Sequence, residues 1–434
     1  MTTGSTSDSF TGSVIHKRRQ QMKTTVFAAA AAALVLGAGS ASAADPIFVG
    51  HLVDFTGPTS DVGKPYGQGV ADAMAWINKN GGIAGQQLKF ETVDYSYNAP
   101  RAIATYKKWV GTDKAVAIQG WGTADTEALV GFHAADKIPN FSASYSGHLT
   151  DPQGKGPKGT KPAPFNFFYG PSYPDGCRAL VQWAAGDAKA KNIDKPKFVH
   201  LGDNHPYPNA PKEGCAAYAT ELGFQVMPPI QYSLKPGDFK AQCLSLKDSG
   251  AHYAFLANTG GSTISLLKSC ETVGVKTQYL ANVWGMDENA LRGAGDAADG
   301  VMFVVGGADW KSDAPGMKTV REISKISDAS GNEYRPVHYM RGICSAFFMR
   351  DAMVAASKMN GGVTGQNIKA GMEQFRDHVP AELQGVCIPS TWTAEDHRGT
   401  TKVFIYRANS KGGQQSISKA GEADIPRKPE WLGW

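Results

Sequence analysis

The residues that could do covalent chemistry in this 434-residue chain are few and poorly spaced for it. Ser144 and His148 have no base partner evident in the sequence. Cys177 would need a nearby His and an electropositive surrounding to act as a nucleophile, and a structural thiol fits it better. No GxGxxG opens a helix, and GxxxxGK[ST], HExxH and GxSxG are absent. Binding is better served than conversion. Loops rich in hydroxyls, amides and glycine recur where strands should end: Thr56–Gly63 (TGPTSDVG), Gly120-Trp121-Gly122-Thr123, Ala143–His148, DNHPYPNAP after Gly202, and Thr259–Ser262.

The elements behind those loops read as α/β. Ile47–Val53 is a short apolar run suited to a strand buried on both faces. From Tyr66, the residues Val70, Met74 and Ile77 recur on one helical face. Asn80-Gly81-Gly82 stops that helix, and Leu88–Asp94 returns as a strand. This implies a right-handed parallel crossover, with ligands beyond the carboxyl ends of the strands. The alternation continues through strands near Lys114–Gln119, Ile138–Ser142, Lys197–Gly202, Tyr253–Asn258 and Val301–Val305. A long helix covers about Val337–Lys358, and a β-hairpin is expected after Thr391 with its turn at Asp396–Gly399.

Met22-Lys23, the apolar run Val26–Gly37 and Ala41-Ser42-Ala43 read as a secretory leader over residues 1–43. Its removal takes away Lys17, Arg18, Arg19, Lys23 and Asp8, leaving 391 residues with 40 basic and 38 acidic side chains, a net charge of +2. Nucleic acid and anionic membrane are therefore not indicated as partners. No later apolar run approaches the length of a membrane span. Six cysteines, at 177, 215, 243, 270, 344 and 387, allow 15 disulfide pairings, Cys243–Cys270 among them. No CxxC or HxxxH spacing suggests a metal, and no cofactor is expected.

Several segments together resemble the leucine/isoleucine/valine-binding family of type I periplasmic solute receptors. They are TGPTSDVGKPYGQG, INKNGGIAGQQL, VDYSYNAPRAIA, IPNFSASYSGHLTDP, GDNHPY, PGDFKAQCLSLKDSGAHYAFLANTGG and GAGDAADGVMFVV, spread in order over residues 45–405. The resemblance implies an α/β protein of two doubly wound parallel-sheet lobes, residues 44–168 plus 308–387 and 169–307 plus 388–434. Three hinge crossings would lie near Phe167–Gly170, Gly306–Asp309 and Cys387–Ser390. It implies a periplasmic monomer without catalysis that closes on a small-molecule solute and hands it to an inner-membrane ABC permease with ATPase subunits. A ligand sensor signalling to a membrane receptor is the alternative. By position, first-lobe contacts match Gly122, Thr123, Ala143 and Tyr145, and second-lobe contacts match Tyr207 and Asn258, with Trp121 and Trp284 flanking the site. The chain departs from the amino-acid pattern at Val283, where the resemblance implies an acid for the ammonium. Asp287 and Glu288 follow a few residues on. An aromatic cleft without an ammonium acceptor suits a flat or bulky acid, an amide, or a cation held over rings.

Overall fold

A computed structural model describes residues 45–434, and the leader assigned to residues 1–43 lies outside them. Among the described residues no helix is long and apolar enough to cross a membrane. The first sheet is built from β1 (Ile47–Val53), β2 (Leu88–Asp94), β3 (Ala117–Gly120), β4 (Asn140–Ser142) and β5 (Asn166–Phe168). Between them run α1 (Ser60–Lys79), α2 (Ala99–Gly111) and α3 (Thr123–Asp136). The sheet is parallel throughout, in the order β2-β1-β3-β4-β5. Every residue of β1 is buried, as expected for a central strand covered on both faces. The one polar side chain among them, His51, hydrogen bonds Thr92 Oγ1 at 3.0 Å, and burial lowers its pKa to about 3.

The chain then crosses to a second sheet. Its parts are α4 (Tyr173–Ala190), β6 (Lys197–Gly202), α5 (Pro206–Asn209), α6 (Lys212–Glu221), β7 (Gln225–Val226), β8 (Ile230–Gln231), α7 (Lys240–Ser249), β9 (Tyr253–Leu256), α8 (Gly260–Thr272), β10 (Gln278–Ala281), α9 (Glu288–Ala294) and β11 (Met302–Val305). A second crossing returns to the first lobe through α10 (Met317–Ser324), α11 (Val337–Ser357) and α12 (Gly365–Met372). A third brings β12 (Lys402–Lys411) and β13 (Gln414–Asp424) to the far edge of the second sheet, ordered β13-β12-β11-β10-β9-β6-β7. The last two strands are antiparallel, which gives a mixed sheet.

α1 and α11 pack with their backbones in close approach. A Cβ on Gly69 would collide with the Tyr339 carbonyl, and one on Gly342 with the Tyr66 carbonyl. α11 is buried over most of its length, so its apolar residues surround it on all sides. Three disulfides form, Cys177–Cys215, Cys243–Cys270 and Cys344–Cys387.

Two expectations are corrected. α1 begins at Ser60, inside the breaker-rich segment, because Asp54 gathers the loop tightly: its carboxylate accepts from the N–H groups of Gly57 and Thr59 and from the Thr59 hydroxyl. The hairpin turns at Gly412-Gly413, not at Asp396–Gly399, since both glycines take the positive φ that a tight two-residue turn demands. Asp396 instead binds Arg398 and Arg427.

Candidate functional site

The loops at the carboxyl ends of the two sheets face one another across a cavity of about 10 Å³. Six of the eight residues expected from the sequence border it: Trp121, Gly122, Thr123, Ala143, Tyr207 and Trp284. Thr59, Tyr97, Tyr173 and Thr259 complete the wall. The space is narrow. It is smaller than a single ring, so the lining side chains must separate to admit a solute.

Two tryptophans dominate. Trp121, from the first lobe, donates its indole N–H to Thr59 Oγ1 at 2.9 Å, and Trp284, from the second, donates to Tyr173 Oη at 2.9 Å. Their ring centroids are 5.1 Å apart, edge to face. Both are fixed by their hydrogen bonds and touch each other between the lobes. Tyr207 donates to Asn282 Oδ1 at 3.0 Å, and the same oxygen accepts from the Trp284 backbone N–H at 2.7 Å. Thr123 Oγ1 accepts from Ser144 Oγ at 2.8 Å. The Ala143 carbonyl faces the Tyr173 hydroxyl at 3.4 Å.

The start of α3 is crowded. The Gly122 N–H donates to Tyr95 Oη at 3.1 Å, and Tyr95 donates to Asp125 Oδ1 at 2.7 Å. Burial raises the Asp125 pKa to about 7, against the Tyr95 bond and the N–H groups of Asp125 and Gly122. A carboxylate of the protein itself therefore occupies the donors at this helix start.

Two expected residues lie elsewhere. Asn258 does not border the cavity. Its Nδ2 donates to the Tyr232 and Ser233 carbonyls and to Ser262 Oγ, while its Oδ1 accepts from the Asp203 N–H, so the whole amide is spent pinning second-lobe loops. Tyr145 lies behind Trp284, with ring centroids 5.5 Å apart, and Arg341 of α11 packs over both rings. Val283 is buried, and its carbonyl accepts from Arg341 Nη1 at 3.3 Å. Asp287 caps α9 through the Ala290 N–H at 2.7 Å, and burial and then Glu288 raise its pKa to about 7. Sequence reasoning missed Tyr97, Tyr173 and Arg341. Tyr97 was reachable, because it follows the end of β2. Arg341 was not, because it sits within a long apolar helix.

The lobes are also joined at the rim, where Asp61 Oδ2 at the start of α1 accepts from the Gly261 N–H of α8 at 2.6 Å. A family model for periplasmic binding proteins matches residues 46–414. The chain belongs to this family. A Leu/Ile/Val-binding protein homologue of Brucella abortus is 23% identical over 304 residues, covering 69% of this chain and 78% of its own. The branched-chain amino acid ABC transporter protein of Thermus thermophilus with bound valine superposes with a TM-score of 0.75 at 22% identity, over 87% of this chain and 96% of that one. A solute-binding protein of R. palustris in complex with benzoate superposes at 0.70 with 16% identity, over 90% and 99%. This periplasmic binding protein thus shares its fold with receptors carrying an aliphatic amino acid and an aromatic acid.

Proposed function

We propose that this protein is the solute receptor of an ABC importer, that its lobes close on a small, flat carboxylate or amide, and that it delivers this cargo to an inner-membrane permease driven by ATPase subunits. The observation that carries the reading is the cavity itself. It lies between the lobes, is walled by Trp121, Trp284, Tyr97, Tyr173 and Tyr207, and receives polar groups from both sides. The five rings flank whatever enters when they part, and a flat cargo lies best between such faces. Among the relatives, valine carries an ammonium and benzoate does not. The Val283 carbonyl, already engaged by a guanidinium, favours the second kind of cargo.

A thermal-shift panel of amino acids, aromatic acids and their amides tests the reading. A cargo present at 100 times its Kd should stabilise the closed protein by about 2.7 kcal/mol. Thr123→Ala and Tyr145→Ala should each weaken that cargo's binding while leaving the far-UV circular dichroism unchanged. A panel without any shift would remove the receptor reading.

A further inference from the structure

Arg341 is about 1% exposed, yet it makes no ion pair with any described carboxylate. Only Nη1 is engaged, donating to His338 Nδ1 at 3.0 Å and to the Val283 carbonyl at 3.3 Å. Arginine can only donate, so His338 Nδ1 accepts and its proton sits on Nε2, 3.5 Å from Asp287. Burial and the guanidinium charge keep this imidazole neutral. The guanidinium Nε and Nη2 have no hydrogen-bond partner among the described residues. The buried Tyr66 hydroxyl lies beside Ser345, and the buried Tyr145 hydroxyl lies beside the guanidinium. Tyr145 lies close enough to the guanidinium for that charge to oppose the rise that burial imposes on its pKa.

The neighbours of this buried positive charge are thus neutral hydroxyls, a neutral imidazole and a carbonyl, with no carboxylate among them. Burying a guanidinium without a carboxylate costs several kcal/mol, offset in part by the Trp284 and Tyr145 rings stacked on it. The expected first-lobe donors at the start of α3 are meanwhile filled by Asp125 and Tyr95. One ring separates Arg341 from the cavity: Trp284, 3.9 Å from the guanidinium carbon. Trp284 belongs to the second lobe and Arg341 to the first, so parting of the lobes draws the indole away and opens the charge to the cleft. We propose that Arg341, with Tyr66 and Tyr145, is the anion-receiving subsite of the cleft, and that it selects carboxylates lacking an ammonium group over α-amino acids. An ammonium brought to the same place would face the guanidinium with no acid to offset it.

The inference rests on the receptor reading, and its test separates the two. Isothermal titration uses the pairs benzoate with benzamide and phenylacetate with phenylacetamide, together with leucine and valine, on the wild type and on Arg341→Gln and Arg341→Met. The wild type should prefer a carboxylate to its amide by roughly 30-fold or more, and both variants should lose that preference. The melting temperature of ligand-free Arg341→Met should equal or exceed that of the wild type, since a buried unpaired charge is removed. Leucine or valine binding that both variants retain would overturn the anion assignment and leave the receptor reading intact. A carboxylate preference that survives in Arg341→Gln would also overturn it, as would a lowered melting temperature in Arg341→Met with unchanged binding. Binding of nothing in the panel would sink both.

Discussion

Two arginines of this molecule are each about 1% exposed, and their surroundings differ sharply. Arg178, on α4 of the second lobe, donates to Asp175 Oδ1 at 2.8 Å and to the Trp434 carbonyl at 3.2 Å, and lies 4.3 Å from the Trp431 ring centroid. Arg341 has rings on its faces but no acid at its edge. The first is a charge stored in scaffold and neutralised on the spot. The second is a charge held ready. Four buried histidines show a third solution, because an imidazole can shed its proton on burial and a guanidinium cannot. The contrast teaches that burial of a cation is not itself informative here. What matters is whether the fold has already supplied the partner.

Breaking the satisfied pair should have the largest effect. Asp175→Ala leaves Arg178 buried without its acid and should cost about 3–5 kcal/mol in urea unfolding. A loss under about 1 kcal/mol would mean that Arg178 is no better served than Arg341, and the contrast would dissolve. Replacing both Cys344 and Cys387 by serine should cost about 2–5 kcal/mol, since that bond closes a 43-residue separation. Cys344 lies one turn beyond Arg341 on α11, so cargo affinity should fall along with stability. Loss of stability with unchanged affinity would show that α11 holds its place without the bond.

The neutralised cations give a smaller, pH-dependent effect. Burial lowers the His200 pKa to about 3. Between pH 6.5 and 3 the unfolded chain therefore binds a proton at this residue that the native state does not, and the native state loses stability as pH falls. His200→Phe removes that loss, so moving from pH 7.5 to pH 5 should shift the stability difference by about 2 kcal/mol in favour of the variant. A difference independent of pH would show that the native imidazole takes up its proton as readily as the unfolded one. The smallest effect is expected at the rim. Asp61→Ala deletes the bond to Gly261 and should weaken cargo binding by about 1 kcal/mol, read as a faster off-rate in stopped-flow tryptophan fluorescence. An unchanged off-rate would place Asp61 outside the closing machinery.

Periodicity and apolar runs made much of the scaffold legible. β1 and α11 fall within a residue or two of expectation because burial on two faces, or all round, leaves an unambiguous pattern, while β2, buried only at Leu88, is marked by the helix stop at Asn80-Gly81-Gly82 before it. The start of α1 was not legible, because one buried carboxylate, Asp54, overrides the local signal of Gly57, Pro58 and Gly63. Neither was the hairpin: the turn was expected at Asp396–Gly399, but Asp396 is held there by Arg398 and Arg427 and the chain turns at Gly412-Gly413. In the cleft, the family resemblance pointed to Trp121, Thr123, Tyr207 and Trp284, which border the cavity. The resemblance also pointed to Asn258, whose amide binds backbone carbonyls that no sequence pattern reveals. Arg341 was hidden for a related reason. Its environment is assembled from Tyr145, Trp284 and His338, which are far apart in the chain.

The glycine contacts between α1 and α11 bear on how such a receptor could change cargo over generations. At positions 69 and 342 even a methyl group would force the two helices apart. Position 341 borders one of these fixed points, so its side chain can be exchanged while the backbone beneath it stays put. A lineage could pass from acids to amides, or to neutral solutes, by single steps at that residue without rebuilding the lobe.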